Sequence, residues 1–380
     1  MVRRRLLAIF GALGLLAGLI SSGVAAQAST PGPDATYSAM LATYLWSSQD
    51  VCYSNGVAPV STSPCVITQP TPAPGHRNIA VCAQTSTPAA GQQCDITQTN
   101  DTNNNYALVI QRINQQGATA SCIAVPCQGA TQRASIQQTD GTGSNFGGII
   151  QQVTQSLTEQ ATDDDPGQIN HQDVRSLTTG LPGLKQSSGV GTTGAGSNFA
   201  AVGQFSQQSQ TGSTAQTQDA RQFAGSTESG LGINQTTRTP AGNAAVLGQV
   251  QKQDLQSPVA VTQSQGAGQD GDITQDDGTG TQNFASGNQF QDQREQGIST
   301  TFQSQFGDPR CCSPQTSGGN FYVTIHTNQL ANNIAPADPA RNHRGQLRLY
   351  PQRNLPHVAQ RHSAGCDNNG IPMSNTILLP

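Results

Sequence analysis

Asn198-Phe199-Ala200-Ala201-Val202-Gly203-Gln204 carries an Asn, a small residue two positions later and a Gln six positions after the Asn. Four other stretches keep that spacing: Asn105-Tyr-Ala107-Leu-Val-Ile-Gln111, Asn145-Phe-Gly147-Gly-Ile-Ile-Gln151, Asn243-Ala-Ala245-Val-Leu-Gly-Gln249 and Asn283-Phe-Ala285-Ser-Gly-Asn-Gln289. Successive Asn residues are 40, 53, 45 and 40 positions apart, which marks a repeat array rather than one irregular core. Offsets of zero, two and six are all even. In an extended strand the Asn, the small residue and the Gln therefore share one face, and Phe199, Ala201 and Gly203 the other.

The alternation continues upstream of the motif in Ile96-Thr-Gln98, Ile136-Gln-Gln138, Ile233-Asn-Gln235 and Ile273-Thr-Gln275. Turn formers fill the gap before the motif Asn, as in Asp140-Gly-Thr-Gly-Ser144. The unit reads strand, turn, strand. Fainter Gln pairs at Gln216 and Gln218, Gln263 and Gln265, and Gln303 and Gln305 predict a half-period, with each repeat split into two stacked coils.

Leu, Ile, Val and Phe make up about 18% of the chain, too few for an ordinary core. Two outcomes compete for so polar a sequence: an unstructured Gln-rich tract, or a β-solenoid in which stacked coils let each buried amide donate to one neighbour and accept from the other. Fixed spacing favours the second. The expected fold is an all-β repeat solenoid over 94–307, whose structural ladder is Asn105, Gln111, Asn145, Gln151, Asn198, Gln204, Asn243, Gln249, Asn283 and Gln289.

The ends differ from the array. Three arginines precede the apolar run 6–20, and Ala26-Gln-Ala28 offers a cleavage site, so residues 1–28 read as a secretory signal peptide. No later stretch is apolar enough to span a membrane. The mature chain is expected outside the cell or on its surface. Region 29–93 is rich in Pro, Ser and Thr; in it, Tyr37-Ser-Ala-Met-Leu-Ala-Thr-Tyr44-Leu-Trp46 predicts a short helix, read as a cap on the array's end or an ordinary packed turn. Region 308–380 carries Cys, His and six arginines, and Gly319-Asn320-Phe321-Tyr-Val-Thr-Ile-His326 is a degenerate further copy.

Of nine cysteines, six lie before residue 130 and three after 310, which in an exported chain predicts disulfide-stapled flanks. Cys122 and Cys127 are spaced for a local bridge; Cys311, Cys312 and Cys366 are further candidates, with one vicinal cysteine reaching Cys366 or another molecule. The His and Cys residues of the C-terminal region lack compact ligand spacing, so neither metal nor cofactor is expected. Asp270-Gly-Asp272-Ile-Thr-Gln-Asp276-Asp277-Gly278 reads as a solvated turn, since the closing Glu of a calcium loop is missing. The weakly acidic, charge-poor chain has no footprint for nucleic acid. It also has no nucleophile elbow, phosphate cradle or carboxylate pair, and is not read as an enzyme.

The motif resembles the curlin repeat of bacterial curli fibres in its second half: Asn105, Ala107, Gln111; Asn198, Ala200, Gln204; Asn243, Ala245, Gln249; Asn283, Ala285, Gln289, with Gly147 replacing Ala in the second copy. The first half departs, because Gln98 and Gln138 lie seven residues before their Asn, and Gln235 and Gln275 eight, where the family has five. Repeats here are about twice the family's length, and the cysteine-rich ends have no counterpart there. The resemblance implies an exported β-solenoid subunit that self-associates into extracellular fibres for adhesion, matrix or coating. The competing expectation is a monomeric module that binds polysaccharide, matrix or another ordered surface through a flat Thr/Gln face.

Overall fold

The computed structural model describes residues 32–55, 64–86, 91–118, 128–158, 167–176, 182–189, 196–212, 216–224, 232–238, 242–277, 283–312 and 320–333, with only the backbone path for 259–263, 277, 295–312 and 320–333. Along the chain the elements are α1 (Ala35–Tyr44), β1 (Val51–Ser54), β2 (Cys65–Gln69), β3 (Asn78–Ser86), β4 (Gln92–Asn100), β5 (Asn105–Ala118), β6 (Gln128–Asp140), β7 (Asn145–Thr158) and β8 (Gln168–Val174). They continue with β9 (Leu184–Ser188), β10 (Asn198–Thr211), β11 (Gln216–Ala224), β12 (Ile233–Thr237), β13 (Asn243–Asp277), β14 (Asn283–Cys312) and β15 (Asn320–Asn333).

The chain winds as a β-solenoid. One face stacks β3, β5, β7, β10, the first part of β13, the first part of β14, and β15, all parallel. The return face stacks β2, β4, β6, then β8 with β9, β11 with β12, and the later parts of β13 and β14. Motif aligns with motif: Asn145, Asn198, Asn243 and Asn283 are successive register partners, as are Gln151, Gln204, Gln249 and Gln289.

Each repeat is one coil with a strand in each face, because Asn105 pairs directly with Asn145. The expected half-period is therefore corrected: Gln216 and Gln218 lie on the return strand of their own coil, paired with Gln263 and Gln265 of the next. The long repeats carry their extra residues outside the ladder. Between Val174 and Leu184 the return strand has eight residues more than β6 needs, and five more precede Asn198, yet Asn145 and Asn198 remain partners.

Between the faces lies a narrow core with a size rule. Ala80, Ala107, Ala200, Ala245 and Ala285 on one side oppose Ile67, Ile96, Ile136, Leu184, Ile233 and Ile273 on the other, all buried in one cluster. The motif's small residue has a direct cause at Gly147, where an added Cβ would meet Gln186 Nε2 at 3.0 Å, Gln138 Oε1 at 3.1 Å and Ile136 at 3.6 Å. A larger side chain there would displace the facing amides.

The outer face of the first sheet is also apolar. Tyr106, Phe146 and Phe199 follow one another along it, Phe284 comes after an intervening Ala244, and Tyr37 and Met40 of α1 pack on the same cluster. Asp34 caps the helix, accepting from Tyr37 N at 2.8 Å, and its other carboxylate oxygen accepts from Tyr106 Oη. Tyr37 packs edge-on to Phe199, with ring centroids 5.7 Å apart. The expected helix is present, but it lies over this sheet face rather than over the end of the array. The reason is the aromatic column, which offers Tyr37 and Met40 an apolar partner.

Stacking also begins earlier than residue 94. Asn78-Ile-Ala80-Val-Cys-Ala-Gln84 is a further copy of the motif, in register with Asn105 to Gln111, and Ile67-Thr-Gln69 pairs with Ile96-Thr-Gln98. Asp270 and Asp272 are corrected from a solvated turn to buried positions within β13.

Candidate functional site: amide columns and a sealed end

In the motif Asn column each Nδ2 up to β13 donates to the Oδ1 of the following coil: Asn78 to Asn105, Asn105 to Asn145, Asn145 to Asn198, Asn198 to Asn243 and Asn243 to Asn283, at 2.8–3.0 Å. The second amide hydrogen crosses to the return strand, reaching the carbonyls of Thr99, Thr139, Ser187, Thr236 and Asp276.

The motif Gln column runs the other way. Gln111, Gln151, Gln204, Gln249 and Gln289 each donate to the Oε1 of the preceding coil, at 2.7–3.0 Å. Gln111, Gln151, Gln204 and Gln249 also donate across to the carbonyls of Arg133, Asp173, Phe223 and Asp270. These side chains are at most 2 % exposed. From Asn78 to Asn243 and from Gln111 to Gln249 the amides thus bond along the stack and across it, which offsets the desolvation that would otherwise forbid burying so many.

The ten ladder residues read from the sequence all fall in these two columns. Other columns of the same kind lie outside that ladder, the first of them made largely of the upstream Ile-x-Gln glutamines and the other two not read from the sequence. Gln69, Gln98, Gln138, Gln186, Gln235 and Gln275 form one, each of the last five donating to the Gln before it. Gln115, Gln155, Gln208, Gln253 and Gln293 form another. Gln92, Gln132, Gln172, Gln222 and Gln269 form a third. The period-two spacing of Gln at positions 111 and 115, 151 and 155, and 204 and 208 was the available signal.

Two disulfides cross the core at the start of the stack. Cys52 of β1 bonds Cys65 of β2, and Cys82 of β3 bonds Cys94 of β4. Cys52 is the register partner of Cys82, and Cys65 of Cys94, so one bridge sits on the other. In the next coil the same positions hold Val109 and Ala134. Sulfur here replaces an apolar contact with a covalent one. Of the bridge candidates named above, Cys122, Cys127 and Cys366 lie outside the described residues, and Cys311 and Cys312 are described only as backbone at the end of β14. Among the described residues no group of three or more His, Cys, Asp or Glu is placed to hold a metal ion.

One buried carboxyl stands out. Asp140 ends β6, is fully buried, and accepts from Gly143 N in the turn while Asn105 Nδ2 approaches its other oxygen at 3.4 Å. Burial pushes its pKa up to about 7 against the opposing pull of the turn amides of Gly143 and Thr142, and Asp101 adds a further upward push.

The columns, the paired faces and the bridged end define the class: an all-β repeat solenoid with internal Asn and Gln ladders and a disulfide-stapled start. No family model matches the chain, and neither a curated protein nor a solved structure matches it.

Proposed function

We propose that this chain is a secreted structural protein of the cell surface, a curli-like subunit whose coils continue from one molecule to the next in an extracellular fibre or coat. One observation carries the reading. The motif amide columns run in step from β3 to β14, and β15, which pairs only with β14 among the described strands, continues the backbone register with Asn320 aligned to Asn283. A regular strand edge at that end is a template for another strand. The two disulfides fit an oxidising compartment, and the arginines and apolar run at the start of the chain fit export.

Incubating purified residues 29–380 under non-reducing conditions is expected to give unbranched fibres with a strand spacing of ~4.8 Å along the axis. A particle that stays monomeric at every concentration would sink this reading.

The sealed start of the stack favours a second reading, a monomeric module that binds an ordered polysaccharide surface. Its face would be the outside of the return sheet, where Thr99, Thr139, Ser187 and Thr236 are successive register partners. Retention of the monomer on polysaccharide, abolished by Thr139→Lys with Thr236→Lys, distinguishes it.

A further inference from the structure

The edge of β3 is closed by something other than a coil. β1 runs antiparallel to β3 over four residues, whereas every other pairing between the described strands is parallel. Beyond β1 the closure continues through side chains. Asn55 donates from its own N to Ile79 O at 3.0 Å, and its Oδ1 accepts from Ile79 N at 2.6 Å. At the other end Asp50 Oδ1 accepts from Thr85 N at 2.6 Å and from the Thr85 hydroxyl at 2.9 Å.

The plug also imitates a preceding coil. Asn55 Nδ2 donates to Asn78 Oδ1 at 3.3 Å, taking the place that the previous coil's Asn takes everywhere else in that column. Asn55 is the one non-glycine residue with positive φ among the described residues, at 34°, in the region where Asn is the least strained such residue. Ser54 Oγ accepts from Gln69 Nε2 at 3.0 Å, the hydrogen that Gln98 gives to Gln69 one coil later.

We propose that the β3 edge beneath this plug is a docking surface for the last coil of a second copy of the chain, and that the plug occupies it in cis. The inference rests on the self-association reading above. The column direction selects the occupant. Asn78 Oδ1 takes an amide hydrogen from the plug's Asn55, at the far end of the same column Asn283 Nδ2 is an unpartnered donor among the described residues, and Asn320 of the last coil is its backbone register partner. Head-to-tail stacking sets donor to acceptor and keeps strands parallel; tail-to-tail contact sets donors against donors in the same column. Parallel pairing along all nine residues of β3 would replace a plug that spans four of them through its own strand. The Cys52–Cys65 bridge ties the plug to β2 and so holds it shut.

The test compares fibre growth of mature wild type, Cys52→Ser with Cys65→Ser, and Asn55→Ala, all without reductant, so that the remaining cysteines are unaffected. Lag times are read by light scattering and electron microscopy, after far-UV circular dichroism confirms folded monomers. Asn55→Ala keeps both cysteines and serves if the serine variant misfolds. Both variants are expected to shorten the lag by about tenfold, the effect of about one lost hydrogen bond on an opening equilibrium. Adding Asn78→Leu to either is expected to abolish the gain. Folded variants that assemble with the wild-type lag overturn the docking surface while leaving self-association standing. No fibre from any variant overturns self-association and this inference with it.

Discussion

Gly271 of β13 faces Leu247 of the same coil so closely that a Cβ built on the glycine would lie 2.3 Å from Leu247 Cδ2. The pair sits two positions along from the Ala245 and Ile273 pair, with the large residue now on the opposite sheet. At these two levels of this coil the thin core takes one bulky side chain per facing pair, and either sheet can supply it.

Gly271→Val should therefore destabilise the chain by about 1–3 kcal/mol through overpacking. Leu247→Ala alone should cost about 2–5 kcal/mol. Because the two residues touch, the double variant should be more stable than the sum of single effects. A double-mutant cycle from urea unfolding checks this, and additive losses would refute the facing-pair rule.

Replacing Gln204 with Leu keeps the volume near that of the amide but strands an acceptor on Gln151 and a donor on Gln249. Each unpaired buried group costs about 1–3 kcal/mol. Gln249→Leu should do the same to Gln204 and Gln289. The double variant is expected to cost less than the sum, since one broken bond is shared. Thermal denaturation of the three variants decides the matter; unchanged melting would count against the columns as a source of cohesion.

Gly148 meets the helix in the same intimate way, for a Cβ there would lie 1.9 Å from Tyr37 Oη. Gly148→Ala should loosen α1 from the outer face, and Tyr37→Phe, which removes that oxygen, should restore it. Trp46 is 55 % exposed just beyond the helix. Near-UV circular dichroism of the aromatic cluster is the readout, and an unaltered Gly148→Ala spectrum would rule out the contact.

Asp140 gives the chain a pH response of definite sign. Its pKa is about 7 folded, against an ordinary value of 3.8. Below 3.8 both states hold the proton; between 3.8 and about 7 only the unfolded state releases it, so this residue's contribution to stability falls as pH rises through that window and is level above it. Asp140→Asn should be more stable than wild type near pH 8 and should remove that decline. The replacement keeps an acceptor for the turn, as Asn100 does at the equivalent register position by accepting from Thr102 N and Asn103 N. Chemical denaturation at a series of pH values tests it.

Strand identity, the shared face and the ladder were legible because even spacing survives any sequence noise around it. The copy at Asn78 obeys the same spacing but lies in a stretch whose prolines and serines read as linker, and local composition masked it. Leu184-Lys-Gln186 continues the Ile and Gln columns, and a Leu in place of Ile hid it. The half-period failed for another reason: Gln recurs on both faces of each coil, so spacing alone cannot tell a second coil from a return strand. The plug formed by Asp50, β1 and Asn55 left no periodic trace, since its task is to end the repeat.

The extra residues before Leu184 and before Asn198 leave the register on either side of them intact. The solenoid therefore tolerates uneven spacing between its coils: a chain that grows or shrinks between Val174 and Leu184 can keep the same partners, so length in that stretch is free to vary while the amide positions are not.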